Sequence, residues 1–258
     1  MSVLVFDIET VPDFEAARKI HQFVDLSDED VVKAMQHLRF QSVGTEFMPL
    51  HLQRIVAISV VFEKGDQLKV WSLGDVDADE KEMVQRFFEG IDQHTPTLVS
   101  WNGGGFDLPV LNYRALLHGV QAPRYWEVGE DDSSFRYNNY ISRFHYRHTD
   151  VMDVLGNFQP RAGAKLDEIA TMLGFPGKFG MSGADVWNEY KQNNIESIRN
   201  YCETDVLNTY LVYLRFQLIR GQCMPDLYET KLARVKKLLT DSEKPHLVEF
   251  LNVWQGEH

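Results

Sequence analysis

Val3, Leu4, Val5 and Phe6 run without a polar break and lead into Asp7-Ile8-Glu9-Thr10. A short continuous apolar run predicts a buried strand, here ending in two carboxylates. Pro12 and Asp13 signal a turn. Residues 13–40 then read as polar helix with Phe14, Ala17, Ile20, Phe23 and Val24 on one face, and Ser27 caps a restart with Asp30 three residues on. The excursion over 11–52 is long for a link between neighbouring strands. It is either decoration or an insertion that shapes a site, and its emergence beside Asp7 and Glu9 favours the second reading.

Residues 54–63 and 67–73, joined by Lys64-Gly65-Asp66, predict two further strands and an antiparallel meander. Met83, Val84, Phe87, Phe88 and Ile91 mark an amphipathic helix over 79–94. A short strand over 97–101 runs into Asn102-Gly103-Gly104-Gly105, and Phe106 opens a helix. Residues 119–149 read as loop, 165–175 as a helix ended by Gly174, and 177–180 as a mobile loop. Ser182 caps a short helix through Tyr190, 196–220 is the longest helix, and two more follow from 226. The predicted organisation is one domain over 1–220 with an insertion at about 11–52, and a helical extension over 221–258 packed on it.

The chain of 258 residues is 44% hydrophobic and 25% charged, which is ordinary for a globular protein. No apolar run approaches the ~20 residues a membrane span needs. A strand begins at Ser2 with no basic segment before it, so no secretory signal is expected. Cys202 and Cys223 make no disulfide framework, and a cytoplasmic chain with reduced thiols is expected. The net charge of −12 argues against non-specific duplex binding. It permits an enzyme that grips a short polyanion locally and relies on a partner protein for delivery.

Candidate chemistry lies with the acids. Asp7 and Glu9 share one strand face and repel each other unless solvated or bridged by a cation; oxygen donors of this kind suit Mg²⁺ or Mn²⁺. Asp107 sits at a helix start beside a strand end, as a site acid or a helix cap. Asp150 and Asp153 either join the acids or cap a helix. Tyr201 and Asp205 meet on one helix face at i and i+4. Four carboxylates from distant positions fit a pair of divalent ions of the kind that drives phosphodiester hydrolysis. Arg136-Tyr137 and the run from Arg143 through Phe144, His145, Tyr146 and Arg147 to His148 interleave rings with cations. Single-stranded nucleic acid wants that pairing, although packing against the sheet accounts for it equally well.

Three motifs in order, Phe6-Asp7-Ile8-Glu9-Thr10, Trp101 to Pro109 with Asp107, and Tyr201-Cys202-Glu203-Thr204-Asp205, resemble the DEDD-superfamily 3′–5′ exonucleases. The likeness is to the tyrosine branch, and within it to stand-alone proteins related to the proofreading domain of family-B DNA polymerases. The histidine branch is disfavoured because Asn200 stands five residues before Asp205. The resemblance implies an α/β, ribonuclease-H-like fold with a mixed five-stranded sheet flanked by helices. It implies Asp7, Glu9, Asp107 and Asp205 as ligands of two Mg²⁺ or Mn²⁺ ions, with Tyr201 orienting the attacking water. Thr10, Asn102, Phe106, Arg143 and Tyr146 are the substrate-side candidates. The implied activity is hydrolysis of single-stranded DNA or RNA from the 3′ end to nucleoside 5′-monophosphates, with DNA favoured. A non-catalytic nucleic-acid- or protein-binding module of the same fold is the alternative. Too few residues follow Asp205 to hold a polymerase domain.

Overall fold

In a computed structural model describing residues 2–178 and 180–256, the first strand is longer than the apolar run that predicts it: β1 spans Ser2–Pro12. It pairs antiparallel along its length with β2 (Gln53–Lys64), which turns at Gly65 into β3 (Gln67–Ser72). On its other side lie β4 (Thr97–Ser100) and β5 (His148–Asp150), both running parallel to β1. The order β3-β2-β1-β4-β5 gives a mixed five-stranded sheet among the described residues. With helices on both faces, this is the expected α/β, ribonuclease-H-like arrangement.

Strand alternation sorts β1 between two cores. Leu4, Phe6 and Ile8 pack with Phe87 and Phe88 of α3 (Glu80–His94) and Leu111 of α4 (Asp107–His118). Val5 packs on the opposite face with Val206 and Tyr210 of α9 (Ile195–Ile219), and Val11 with Ile198 and Cys202 of the same helix. Asp7 and Glu9 alternate in step with Val5 and Val11, so β1 aims both acids toward α9. A bulge between Glu9 and Thr10 shifts the register to β2 there, a device common beside functional sites.

Residues 13–40 form two helices, α1 (Phe14–His21) and α2 (Asp28–Val43). The Ser27 hydroxyl accepts the Asp30 N–H as its spacing predicts. Ala17, Val31, Met35 and Leu52 make a small core of their own, and the Asp13 N–H returns to the Leu52 carbonyl at 2.8 Å.

The stretch 119–149 differs from its loop reading. It holds α5 (Pro123–Trp126) and ends in β5. Three residues carry no periodicity, and β5 takes its extended form from β4, whose Leu98 N–H donates to the Arg147 carbonyl. Next come α6 (Val151–Leu155), α7 (Leu166–Met172) and α8 (Val186–Lys191). Ser182 does not cap α8. Asp185 precedes that helix, and the Ser182 N–H and hydroxyl both donate to the Asp185 carboxylate. The predicted 177–180 loop includes Phe179, which lies outside the described residues.

The two helices after α9 are α10 (Pro225–Thr240) and α11 (Pro245–Gln255); Val235, Leu239, Leu247 and Phe250 share the α9 core. Buried Glu203 of α9 accepts the N–H and hydroxyl of Ser72 at 3.0 Å each, the Lys244 ammonium at 2.8 Å, and meets His246 Nε2 at 2.9 Å. This network ties α9 to β3 and to the start of α11. Among the described residues, no helix is long and apolar enough to cross a membrane.

Candidate active site

The strand register fixes where the site forms. β4 runs beside β1 with Val99 opposite Val5 and stops at Ser100, so residues 101–106 leave the sheet next to Asp7 and Glu9. Asp150 braces that loop. Its carboxylate accepts the Asn102 N–H and the Gly104 N–H, each at 2.9 Å, and the Asp153 N–H at 3.2 Å. Asp150 is therefore the cap of α6 and the anchor of the glycine loop, and its charge also reaches Asp107. Glycine is required at 103, because a Cβ there would overlap the buried Ser100 hydroxyl, itself bonded to His148 Nε2 at 2.8 Å.

The loop delivers Asp107 as the first residue of α4, 4% exposed, with its Oδ1 accepting the Ile8 N–H at 3.2 Å. Arg114, two turns along the same helix, holds α4 in place. It is buried between Asp13 at 2.6 Å and Glu80 at 2.5 Å. From the opposite face α9 presents Tyr201, whose hydroxyl lies beside Asp205, and Cys202, whose thiol donates to the Asp7 carbonyl at 3.4 Å and Oδ2 at 3.5 Å. Asp7, Glu9 and Cys202 each offer a ligand atom within 4.8 Å of the others.

These carboxyls perturb one another. Burial, then the charges of Asp107, Glu9 and Asp205, push Asp7 well above the usual range. Burial, then Asp205 and Asp107, do the same to Glu9, and Lys178 opposes the rise. Burial lifts Asp107 to about 7. It lifts Asp205 to about 6 against the hydrogen bond from Tyr201 and the charge of Lys178. Tyr201 itself rises, through burial and then through Asp205 and Glu9, so it stays a hydroxyl donor at neutral pH. Burial and the Asp7 charge keep the Cys202 thiol protonated. A cluster of mutually repulsive, half-buried to buried carboxyls, with one thiol beside them, offers mainly oxygen donors and fits hard divalent cations.

Lys178 reaches the cluster from the 176–178 segment, its ammonium 5.6 Å from the Tyr201 ring centroid. Asn208, one turn beyond Asp205, clamps Gly177 through both its N–H and its carbonyl, and Asp167 accepts the Lys178 N–H at 2.6 Å. The predicted mobile loop is thus pinned at its start. A cleft of ≈ 570 Å³ opens here between Asn102, Met152, Asp167, Lys178, Tyr201 and Asp205.

Asp7, Glu9, Asp107 and Asp205 lie near enough for their charges to act on one another, with Tyr201 beside Asp205 and Asn102 on the cleft wall. Phe106 lies 5.8 Å from the ring of Phe47, so the 11–52 excursion reaches the edge of the site. The Thr10 hydroxyl donates to Gln53 at 2.9 Å. Arg143 pairs with Asp153 at 2.6 Å. Tyr146 stacks under Arg220, past the far end of α9, about 22 Å along the helix from Asp205 at 1.5 Å per residue. Arg147 covers the buried Phe135 ring at 3.8 Å, so part of the aromatic-basic run is structural packing. The brace by Asp150, the thiol of Cys202 and the clamp by Asn208 were missed from sequence. Of these, only Cys202 carried a signal there, standing between Tyr201 and Asp205.

A family described as "Predicted 3'-5' exonuclease related to the exonuclease domain of PolB" matches residues 45–254. The match takes in Asp107, Tyr201 and Asp205 and begins after β1. A DNA polymerase of Archaeoglobus fulgidus is 23% identical over 202 residues, covering 74% of this chain and 25% of that protein. A DNA polymerase of Pyrococcus glycovorans is 34% identical over 85 residues, covering 31% of this chain and 10% of that protein. The chain thus spans a quarter or less of the length of these relatives. The solved family B DNA polymerase from Pyrobaculum calidifontis aligns with 98% of this chain and 27% of its own, at a TM-score of 0.49 and 17% identity.

Proposed function

Because the chain belongs to the family of predicted 3′–5′ exonucleases related to the exonuclease domain of PolB, we propose that it hydrolyses single-stranded nucleic acid from the 3′ end. The products are nucleoside 5′-monophosphates, and DNA is the favoured substrate. The observation that carries this reading is the convergence of four acids from β1, α4 and α9, with Asp107 locked onto the backbone between the two acids of β1.

Asp7, Glu9, Asp107 and Asp205 would hold two Mg²⁺ or Mn²⁺ ions. When bound, such ions supply Lewis-acid activation of water and stabilise charge on the leaving oxygen. Asp7, on which the charges of Asp107, Glu9 and Asp205 all act, would be a central member of the ligand set, and Glu9 would also meet the terminal 3′-hydroxyl. Tyr201 keeps its proton and donates it as a hydrogen bond, so it orients the attacking water and does not act as a base. Cys202 donates to Asp7 and sets the direction of that carboxylate. Lys178 offers a positive charge to the scissile phosphate. Asn102 lines the path of the strand.

The test is digestion of 5′-end-labelled DNA and RNA oligonucleotides of matched sequence with Mg²⁺, with Mn²⁺ and with chelator, beside Asp7→Ala. A metal-dependent ladder that shortens from the 3′ end and vanishes in Asp7→Ala is expected. Binding without turnover in any metal would overturn the proposal in favour of a non-catalytic binding module.

A further inference from the structure

A second cavity, of ≈ 590 Å³, lies beyond the glycine loop on the β5 side of the sheet. Asn102 and Met152 line both this cavity and the cleft that holds Tyr201 and Asp205, so the two are neighbours across one wall. Its size falls in the range of pockets that enclose a small organic group. Gly104 and Gly105 line it, and a Cβ at 105 would stand 2.7 Å from Asn102 Oδ1 and displace that side chain.

The walls suit a flat group with a polar edge. Trp126 is 50% exposed and offers a free ring face, held edge-on against Tyr125 at 4.9 Å. Leu108 and Pro109 of α4 supply apolar contact. The Asn112 amide nitrogen reaches the Tyr125 hydroxyl at 3.4 Å, while its buried Oδ1 has no partner among the described residues. A half-exposed ring beside an apolar wall suits a flat ligand that stacks. At the rim, Arg143 lies in an exposed pair with Asp153, from which a phosphate can draw it.

We infer that this cavity receives a nucleobase of the substrate strand upstream of the scissile bond, stacked on Trp126. The inference rests on the exonuclease reading and extends it. With the terminal nucleotide beside Glu9 at the end of β1, the strand leaves past Asn102 toward β5, where the cavity opens. Arg143 then meets backbone phosphate, whereas Tyr146 plays no part.

The test uses single-stranded DNA carrying 2-aminopurine at the second, third or fourth position from the 3′ end, bound to Asp7→Ala protein with Mg²⁺. Stacking on Trp126 should quench the fluorescence at one of these positions. Trp126→Ala should abolish that quenching and weaken binding about 5- to 100-fold, the span for losing one base–ring stack. Trp126→Phe should restore most of both. Quenching at no position, or quenching that survives Trp126→Ala, overturns the subsite while leaving the exonuclease reading intact if wild-type protein still shortens the same oligonucleotides. Absence of both binding and turnover overturns the two together.

Discussion

The Asp107 carboxylate accepts the N–H of Ile8, the residue between Asp7 and Glu9, across 99 positions of sequence. This bond sets the spacing between the acid of α4 and the two acids of β1 without help from a ligand. Asp107→Asn keeps an acceptor for Ile8 and loses one charge. Turnover should fall at least about 10²–10³-fold, the range for deleting one preorganised charge-stabilising group. The melting temperature in chelator should hold or rise, because repulsion is relieved. Single-turnover digestion and thermal melts check the two halves. Asp205→Asn should behave alike, and Tyr201→Phe should slow turnover less, by about 10- to 100-fold.

Metal and pH are linked through the same acids. Burial raises Asp107 to about 7 and Asp205 to about 6, so the folded chain holds these protons more tightly than the unfolded one. Their contribution to stability is complete below about pH 4 and is lost as pH climbs through 6 and 7. In chelator the melting temperature should therefore decline across that window. Mg²⁺ or Mn²⁺ should reverse the decline, with a larger gain at about pH 8 than at about pH 5, since only ionised acids bind the ion. Melts at both pH values, with and without ion, measure it; an equal gain at each would contradict the linkage.

Lys178 lowers both Glu9 and Asp205 and stands near the Tyr201 ring. Lys178→Met should move the acidic limb of the pH–rate profile upward. It should also raise KM for oligonucleotide about fivefold, matching the ~1 kcal/mol of a partly exposed charge contact. Steady-state kinetics over a pH series would show both.

Arg114 is buried with Asp13 and Glu80, and the Ile55 N–H and His118 also meet Glu80. Arg114→Met leaves two carboxylates facing each other in the core. The expected loss is about 3–5 kcal/mol in urea unfolding. A value near zero would mean that α4 is held by apolar packing alone.

The sequence was most legible where chemistry and periodicity coincide. The unbroken apolar run of β1 gave the buried strand, and the Asp7–Glu9 spacing gave a shared face. The capping pattern at Ser27 predicted a bond that forms. β5 was illegible as a strand because three residues carry no period and depend on β4 for their form. The role of Asp150 was left open between joining the acids and capping a helix, and its grip on a loop 46 residues away leaves no trace in sequence. Arg143 and Tyr146 look equivalent in the run, yet one lines the rim of the second cavity and the other sits under Arg220. Local composition says that rings and cations are present; only topology says which edge of the sheet they occupy.

Glu203 stands between Cys202 and Thr204 in the third motif, yet it grips Ser72, Lys244 and His246 on the flank of α9 away from the acids. One helical turn is thus gripped at the rear by the chain's last helix while its front carries the reactive carboxylate. A shift of that turn would carry Asp205 with it relative to Asp7, along with the core residues Cys202 and Val206. On the exonuclease reading, a disturbance at Lys244 or His246 would therefore reach the Asp205 carboxylate through Glu203, far from the glycine loop.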